Sequence, residues 1–210
     1  MNRRSAPFAI VISGPSGVGK TTIEEGLVSQ DPLLRASVSA TTRPPRDQEV
    51  SGRDYFFLSR EEFERMKDHD LVEWAEVHDE LYGTPRQFVE DEFRAGRDVI
   101  LNIDVQGGNR VKKTFPDAVL VFILPPSFET LRERILKRSA REPADLARRL
   151  ENATKEIDAA RDYDYLVVND DLETAVSQVR AIIEAERCRR ERHGPDFVER
   201  FKRPAPRRKS

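Results

Sequence analysis

The sequence predicts an α/β fold built on a five-stranded parallel sheet. Four short apolar runs, rich in Val, Ile and Leu, span residues 8–13, 97–104, 118–125 and 164–170. Such continuous apolar runs are typical of parallel strands that are buried on both faces. Residues 37–40 are a weaker fifth candidate. Charged segments with helical periodicity separate the runs, and this alternation is typical of a doubly wound sheet flanked by helices.

Helices are expected in the segments that connect these strands. Their expected ranges are 21–30, 105–115, 127–138 and 172–191. Each range places apolar residues at helical spacing among charged ones, so that one face can cover the sheet.

Two insertions interrupt the alternation. Residues 38–96 contain a polar loop, candidate strands at 54–59 and 71–78, and a helix at 59–70. A Ser59…Glu62 capping box opens that helix, and we predict a small inserted α+β subdomain. Residues 138–160 form a second, charged and helical insertion. The core is therefore expected to comprise residues 7–37, 97–137 and 161–190, and residues 195–210 are predicted to be a basic, disordered tail.

Composition narrows the class of protein. The 210 residues are 38% hydrophobic and 35% charged, and the net charge of −2 argues against bulk electrostatic binding of nucleic acid. The single cysteine, Cys188, excludes a disulfide within the chain, and the three histidines are scattered rather than clustered as metal ligands. No apolar run approaches the roughly 20 residues of a membrane span, and no signal peptide is recognisable. A cytoplasmic protein without nucleic-acid or membrane partners is expected.

The stretch GPSGVGKTT follows the first apolar run directly. Gly14-x-x-x-x-Gly19-Lys20-Thr21 is a complete phosphate-binding loop signature. Glycines let backbone N–H groups turn towards a polyphosphate, and the following helix offers its positive end. Lys20 supplies a positive charge to the outer phosphates, and the Thr21 hydroxyl can ligate Mg²⁺. A chance match in an ordinary glycine-rich turn has a frequency on the order of one in a hundred, so the sequence predicts a nucleoside triphosphate site.

The inserted segment carries polar groups suited to a second substrate. Strand alternation predicts Leu71, Glu73, Ala75 and Val77 on one face, which places the Glu73 carboxylate among apolar neighbours. A buried carboxylate needs strong partners. These are either a structural pair within the protein or the N–H groups of a ligand, such as the edge of a guanine.

A second polar set lies upstream and downstream of that strand. Ser39, Arg43 and Arg46 fall within eight residues, and Tyr55 and Tyr82 follow. Two arginines beside turn-forming prolines suit capture of a phosphate. Simple solvation of loop arginines is the alternative.

Two polar residues end the strand at 97–104. Asn102 and Asp104 share a face at the carboxyl end of a parallel strand, where open α/β sheets bind ligands. A capping or turn role is the alternative for both.

Arginines border the apolar stripes of the next two helices. Phe128, Leu131 and Ile135 form one expected stripe, and Arg134 and Arg138 lie beside or just beyond it. In the following helix the expected stripe is Leu146, Leu150, Ala153 and Ile157, flanked by Arg149. Such arginines either reach into a cleft and stabilise a transferring phosphoryl group or remain solvated.

These motifs together resemble the guanylate kinase family. The resemblance rests on GPSGVGKTT, SVSATTRPPRDQEVSGRDYFF, VEWAEVHDELYGTP, VILNIDVQG, FILPPS and YLVVNDD in this order, and it covers about residues 7–190. It implies a P-loop nucleoside triphosphatase-type core, a GMP-binding region at 38–96 and a lid at 138–160 that close around the substrates. It also implies transfer of the γ-phosphoryl group of ATP to GMP with Mg²⁺, as part of purine nucleotide metabolism.

The resemblance assigns expected roles to individual residues. ATP would be bound by Gly14, Pro15, Ser16, Gly17, Val18, Gly19, Lys20, Thr21, Thr22 and Asn169. GMP would be bound by Ser39, Arg43, Arg46, Glu49, Tyr55, Glu73, Tyr82, Thr84 and Asp104. The catalytic set would be Lys20, Arg43, Arg134, Arg138 and Arg149. Thr21 would ligate Mg²⁺, with Asp104 contributing through water. The family usually has Asp where this chain has Asn102, so we predict a lower metal affinity than in relatives.

Two other functions share parts of this pattern. A sugar-bisphosphate kinase of the same fold would not need the base-reading set Ser39, Glu73 and Thr84. A non-catalytic guanylate kinase-like binding module typically has a damaged phosphate loop, whereas here the loop is intact. The expected partners are ATP and GMP, with dGMP as a further substrate, and the sequence is compatible with a monomer or a dimer.

Overall fold

The structure, a computed structural model, describes residues 5–77, 79–138 and 143–202. In chain order its main elements are β1 (Ala9–Ser13), α1 (Lys20–Gln30), β2 (Leu34–Ala36), β3 (Ala40–Thr41), β4 (Phe56–Phe57), α2 (Arg60–Met66), β5 (Leu71–Val77), β6 (Glu80–Pro85), α3 (Arg86–Arg94), β7 (Asp98–Asn102), α4 (Val105–Thr114), β8 (Val119–Leu124), α5 (Phe128–Arg138), α6 (Pro143–Asp158), β9 (Tyr165–Val168) and α7 (Leu172–Arg187). None of the helices in these ranges is both long and apolar enough to cross a bilayer.

The core is a five-stranded parallel sheet in the order β2-β7-β1-β8-β9. This confirms the predicted fold class and four of the predicted strands. The fifth prediction, residues 37–40, is wrong, because the outer strand is Leu34–Ala36 and Leu34 pairs with Asp98. The chain then leaves this sheet, and Ala40 pairs with Phe56 and Gly83 in a second sheet.

Apolar side chains of β1 alternate between the two faces of the sheet. Ile10 and Ile12 pack in a cluster with residues of α1 and α7, such as Ile23. Ala9 and Val11 pack in a second cluster with residues of α3 and α4. Because both faces are covered, every residue of β1 is buried, which explains its uninterrupted apolar sequence.

The inserted region contains a four-stranded sheet in the order β4-β3-β6-β5. The capping box is confirmed, since Ser59 Oγ accepts from Glu62 N at 3.2 Å and Glu62 Oε2 accepts from Ser59 N at 2.8 Å. The helix is shorter than predicted and ends at Met66. Strand β6 was not predicted, and neither was helix α3, whose Val89 packs on the core sheet.

The simple alternation predicted for β5 does not hold. The register against β6 shifts between Leu71 and Glu73. Leu71 consequently packs in the same cluster as Trp74, and Val72 joins the core cluster below α4. The prediction that Glu73 is buried is nevertheless confirmed.

The second insertion is helical, as predicted. Leu150, Ala153 and Ile157 of α6 pack against Leu131 and Ile135 of α5. The predicted stripe on α5 begins one turn later than expected, because Phe128 at the start of the helix lies outside this cluster and is 44% exposed. Residues 139–142 and the side chains of Arg138 and Leu146 lie outside the description.

The carboxyl-terminal segment returns to the amino-terminal edge of the sheet. Helix α7 ends at Arg187 rather than 191, and Cys188 is exposed at its end. Arg192 is buried, lies over the Phe8 ring at 3.8 Å and donates to Glu186 Oε2 at 2.9 Å. A 3₁₀ turn at Val198–Phe201 shows that this part of the predicted tail is structured, and residues 203–210 lie outside the description.

Candidate active site

The loop between β1 and α1 has the backbone conformation that its glycines permit. The φ angles of Gly14, Gly17 and Gly19 are +146°, +84° and +102°. A Cβ on Gly14 would lie 2.3 Å from the carbonyl oxygen of Ile123, and one on Gly19 would lie 2.5 Å from Asn169 Nδ2. Both the positive φ and the close neighbours therefore require glycine at these positions.

Helix α1 begins at Lys20, directly after the loop. Its N-cap Gly19 has no side chain to cap the helix, so first-turn N–H groups remain available to an anion. Lys20 Nζ donates to the carbonyls of Gly14 at 2.5 Å and Pro15 at 3.4 Å, which holds the ammonium group at the loop. This arrangement is suited to binding phosphates.

A cavity of about 550 Å³ lies beside this loop. Arg134 of α5 enters it and donates to the carbonyls of Val18 at 3.4 Å and Asn169 at 3.2 Å. Asn169 is buried and donates from Nδ2 to Val18 O at 2.7 Å. The lining residues are Ser16, Gly17, Gly19, Lys20, Thr21, Thr22, Arg134, Lys137, Asn169, Asp170 and Leu172. The structure therefore brings together the predicted loop residues, Arg134 and Asn169.

A second cavity, of about 530 Å³, connects the end of the phosphate loop with the inserted region. Thr21, Glu24 and Asn102 line it from the core, and Ser39 and Tyr55 line it from residues predicted to bind the second substrate. Thr21 lines both cavities. Thr21 therefore borders both the cavity beside the loop and a cavity that reaches two of the residues predicted to bind GMP.

Arg43 and its neighbours form a compact polar cluster in the inserted region. Its guanidinium donates to both carboxylate oxygens of Glu49, at 2.9 and 3.0 Å, and lies 5.4 Å from the centre of the Tyr55 ring. Tyr55 meets Tyr82 edge to face at 6.2 Å. The Arg43 hydrogen bond and the backbone N–H of Arg46 hold the pKa of Glu49 below its ordinary value. The arrangement presents a guanidinium fixed by a carboxylate, beside two phenols.

Glu73 lies in a separate buried cluster on the same small sheet. Its carboxylate is 6% exposed, and Oε1 accepts from the Thr84 hydroxyl at 2.8 Å. Asp104, the N-cap of α4, accepts from Gly107 N at 2.7 Å and lies close enough for its charge to act on Glu73. Burial, more than the Asp104 charge, raises the pKa of Glu73 to about 7. The predicted Glu73, Thr84 and Asp104 are thus in one cluster.

The sequence of this chain is similar to that of known proteins from one family. A family model described as guanylate kinase matches residues 7–186. The chain belongs to the guanylate kinase family. A guanylate kinase from Symbiobacterium thermophilum is 50% identical over 200 residues, covering 95% of each chain. One from Caldanaerobacter subterraneus subsp. tengcongensis is 48% identical over 194 residues, covering 92% of this chain and 94% of the relative.

A solved guanylate kinase has the same architecture. The crystal structure of guanylate kinase from Anaplasma phagocytophilum is 33% identical in sequence and superposes with a TM-score of 0.74. The match covers 96% of this chain and 98% of that chain. The guanylate kinase fold therefore extends over the core, the inserted region and the helical insertion.

Two of the catalytic residues expected of a guanylate kinase are less fully placed. Arg138 ends α5, but its side chain lies outside the description. Arg149 is on α6 with a half-buried side chain, one turn before Ala153. Their expected roles therefore remain predictions from the sequence.

The structure adds polar residues that the sequence did not single out. Lys137 and Asp170 line the cavity beside the loop, and Glu24 lines the second cavity. Glu156 of α6 accepts from the backbone N–H of Ser16, although burial still raises its pKa. Glu24 follows the predicted Thr21 by three residues, and Lys137 follows the predicted Arg134 by three. This spacing places each pair on one helix face and could have identified the two residues.

The residues around Thr21 are compatible with Mg²⁺. Among the described residues there is no group of three or more His, Cys, Asp or Glu that would hold a metal ion by itself. Mg²⁺ in nucleotide sites is usually held by one or two protein oxygens together with phosphates and water, so it does not need such a group. The Thr21 hydroxyl, with Asn102 Nδ2 at 3.3 Å, belongs to a residue that lines both cavities.

Proposed function

We propose that this guanylate kinase family member transfers the γ-phosphoryl group of Mg²⁺-bound ATP to GMP, giving ADP and GDP. The position of Thr21, which lines both cavities, is the observation that carries the proposal. It allows a triphosphate on the loop to face an acceptor in the inserted region. Cytoplasmic location and a role in purine nucleotide metabolism are part of the proposal.

Guanine is proposed to be read by Glu73, Thr84, Asp104 and Ser39. The Watson–Crick edge of guanine offers two adjacent N–H donors, and a buried carboxylate is a strong acceptor for such a pair. Adenine presents an acceptor where guanine presents N1–H, so it would place a lone pair against Glu73. The Thr84 hydrogen bond fixes the orientation of the carboxylate before the base arrives.

The GMP phosphate is proposed to bind at Arg43, Arg46, Tyr55 and Tyr82. Arg43 is already aligned by Glu49, so less side-chain freedom is lost on binding. A guanidinium flanked by phenolic hydroxyls matches the oxygens of a phosphate. Glu49 then serves to position Arg43 rather than to contact the anion.

Phosphoryl transfer in this site needs positioning and charge neutralisation more than proton transfer. Lys20 and Arg134 border the cavity beside the loop and are proposed to hold the outer phosphates, with Arg138 and Arg149 approaching from α5 and α6. Thr21, with Asp104 acting through water, would hold Mg²⁺, which would supply positive charge to the phosphates. Asn169 is proposed to border the adenine.

Measuring ADP release with a panel of acceptors tests the proposal. We expect fast turnover with GMP, turnover with dGMP because the proposed contacts are to base and phosphate, and rates at least about a hundredfold lower with AMP and UMP. Turnover with ribose bisphosphate but not GMP would indicate a sugar-bisphosphate kinase. Nucleotide binding without turnover on any acceptor would indicate a binding module, and either result would contradict the proposal.

A further inference from the structure

Glu24 is a half-buried carboxylate that faces the second cavity from α1. It lies three residues after Thr21, so the two side chains are neighbours on one face of the helix. Its helix neighbours Ile23 and Leu27 pack in the core, whereas Glu24 lines the cavity with Thr21 and Asn102. The side chain therefore borders the space where both substrates are expected to meet.

One amide connects Glu24 with the expected metal ligand. Asn102 Nδ2 lies 3.0 Å from Glu24 Oε2 and 3.3 Å from Thr21 Oγ1. Asn102 ends β7 at the carboxyl edge of the core sheet, so the triangle of three side chains joins α1 to that edge. A carboxylate can accept about four hydrogen bonds, and the Asn102 bond leaves capacity for others.

Glu24 and Asn102 lie where they can contact the water ligands of a metal ion bound at Thr21. Mg²⁺ gives up its water ligands reluctantly, and the waters that remain donate hydrogen bonds to nearby carboxylates. Asn102 is uncharged, so it cannot supply negative charge to such waters. Glu24 can, since its carboxylate accepts from Asn102 Nδ2 and lines the same cavity as Thr21.

We propose that Glu24 is a positioning residue of the metal site, accepting a hydrogen bond from a water of the Mg²⁺ ion at Thr21 while Asn102 orients it. This inference rests on the proposed function. The alternative is a purely structural role, in which Glu24 only ties α1 to Asn102. A structural role predicts a loss of stability without a specific loss of metal affinity.

The test is the affinity of Mn²⁺, used in place of Mg²⁺, for the protein bound to a non-hydrolysable ATP analogue, measured by electron paramagnetic resonance. Glu24→Gln keeps the shape and removes the charge, and we expect it to weaken Mn²⁺ binding roughly tenfold. Analogue affinity in the presence of a chelator should remain within about twofold of the wild type, since Glu24 contacts the metal waters and not the nucleotide.

Two further variants make the result specific. Glu184→Gln removes the same charge at an exposed position on α7 that lines neither cavity, and it should leave Mn²⁺ affinity within about twofold. The double variant Glu24→Gln with Asn102→Asp removes the carboxylate at position 24 and introduces one at position 102. It should recover most of the lost Mn²⁺ affinity. A stability measurement on each variant separates folding from metal binding.

The outcomes are distinct. Wild-type Mn²⁺ affinity in Glu24→Gln, or an equal loss in Glu184→Gln, would overturn the inference and leave the proposed function standing. A wild-type protein that binds no analogue under any metal condition would overturn the proposed function, and the inference with it. A tenfold loss of Mn²⁺ affinity in Glu24→Gln, with the affinity recovered in the double variant, would support both the inference and the proposed function.

Discussion

The Thr84 hydroxyl donates a 2.8 Å hydrogen bond to Glu73 Oε1, and the two residues are directly paired across β5 and β6. Both side chains are buried, and that of Glu73 faces the start of α4. A Cβ added at Gly107 would lie 2.9 Å from Glu73 Oε2, so that oxygen lies close to the helix backbone. The carboxylate is thus held from two sides, and its ionisation governs what it can accept.

GMP affinity should depend on pH through Glu73. Its pKa of about 7 lies above the ordinary value of 4.5 because of burial. Guanine N–H groups bind the ionised form, so affinity is lost as the pH falls through 7. From about pH 8 to about pH 6 we expect the Kd of GMP to rise about tenfold more in the wild type than in Glu73→Gln, measured by calorimetry.

Comparison with Glu73→Gln also removes the part of the pH dependence that comes from ionisation of GMP itself. The phosphate of GMP has its own second pKa of about 6, and both proteins share it. Glu73→Gln should in addition lose discrimination between GMP and AMP. Parallel pH profiles in the two proteins would contradict a base-reading role for Glu73.

Gly107→Ala should weaken GMP binding without destabilising the fold. The added methyl group would displace Glu73 Oε2, and a helical alanine is otherwise more favourable than glycine by about 1 kcal/mol. We expect the KM for GMP to rise several-fold with little change in the KM for ATP, measured in steady-state assays. Gly194→Ala is the control, since nothing lies within 4 Å of its Cβ, and equal effects of the two changes would contradict the contact.

Much of the core could be predicted from the sequence because its strands are buried on both faces. Strands β1, β7, β8 and β9 read as continuous apolar runs for that reason. Strand β2 has only three residues, of which one is fully buried, and gives no such run. Strand β6 contains Gly83, whose missing side chain leaves room for the Glu73 carbonyl oxygen, 2.9 Å from where a Cβ would lie. The requirement for glycine at position 83 is apparent only from the pairing of β5 with β6.

The site was predictable to the extent that it is local. Residues 14–22, which form the phosphate loop and the start of α1, are adjacent in the sequence, so their spacing alone identified them. The Glu24–Asn102 contact joins residues 78 positions apart, and no local pattern encodes it. The shift of register next to Glu73 likewise depends on how β5 meets its neighbour, although apolar flanking residues were enough to predict burial of the carboxylate.

Lys20→Ala should lower turnover by about a thousandfold. Lys20 is the ammonium group held at the loop by Gly14 and Pro15, and its charge is expected to stabilise the transferring group. The kcat for GMP phosphorylation is the measurement. Lys155→Ala, at an exposed position paired with Glu151 on α6, should retain wild-type turnover. A Lys20→Ala protein with near-normal kcat would exclude the assigned role.

Arg187→Met should destabilise the fold while leaving turnover intact. Arg187 donates to Asp98 and Asp31 at 2.7 Å each, and Asp98 is buried at the start of β7, at the edge of the sheet opposite the active site. Removing the guanidinium leaves a buried carboxylate with only the Phe8 N–H as a partner in this group, and we expect a loss of about 3 kcal/mol in the free energy of unfolding, measured in urea.

Arg180→Met on the same helix gives the matched comparison for that loss. Arg180 is exposed and lies 3.7 Å from Glu184, so its removal should cost less than about 1 kcal/mol. Because neither arginine lines the two cavities that Thr21 borders, kcat at a temperature where both variants are folded should equal that of the wild type. A large loss of kcat in folded Arg187→Met would mean that the start of β7 is coupled to Asn102 at its other end, and the expected separation of stability from catalysis would be wrong.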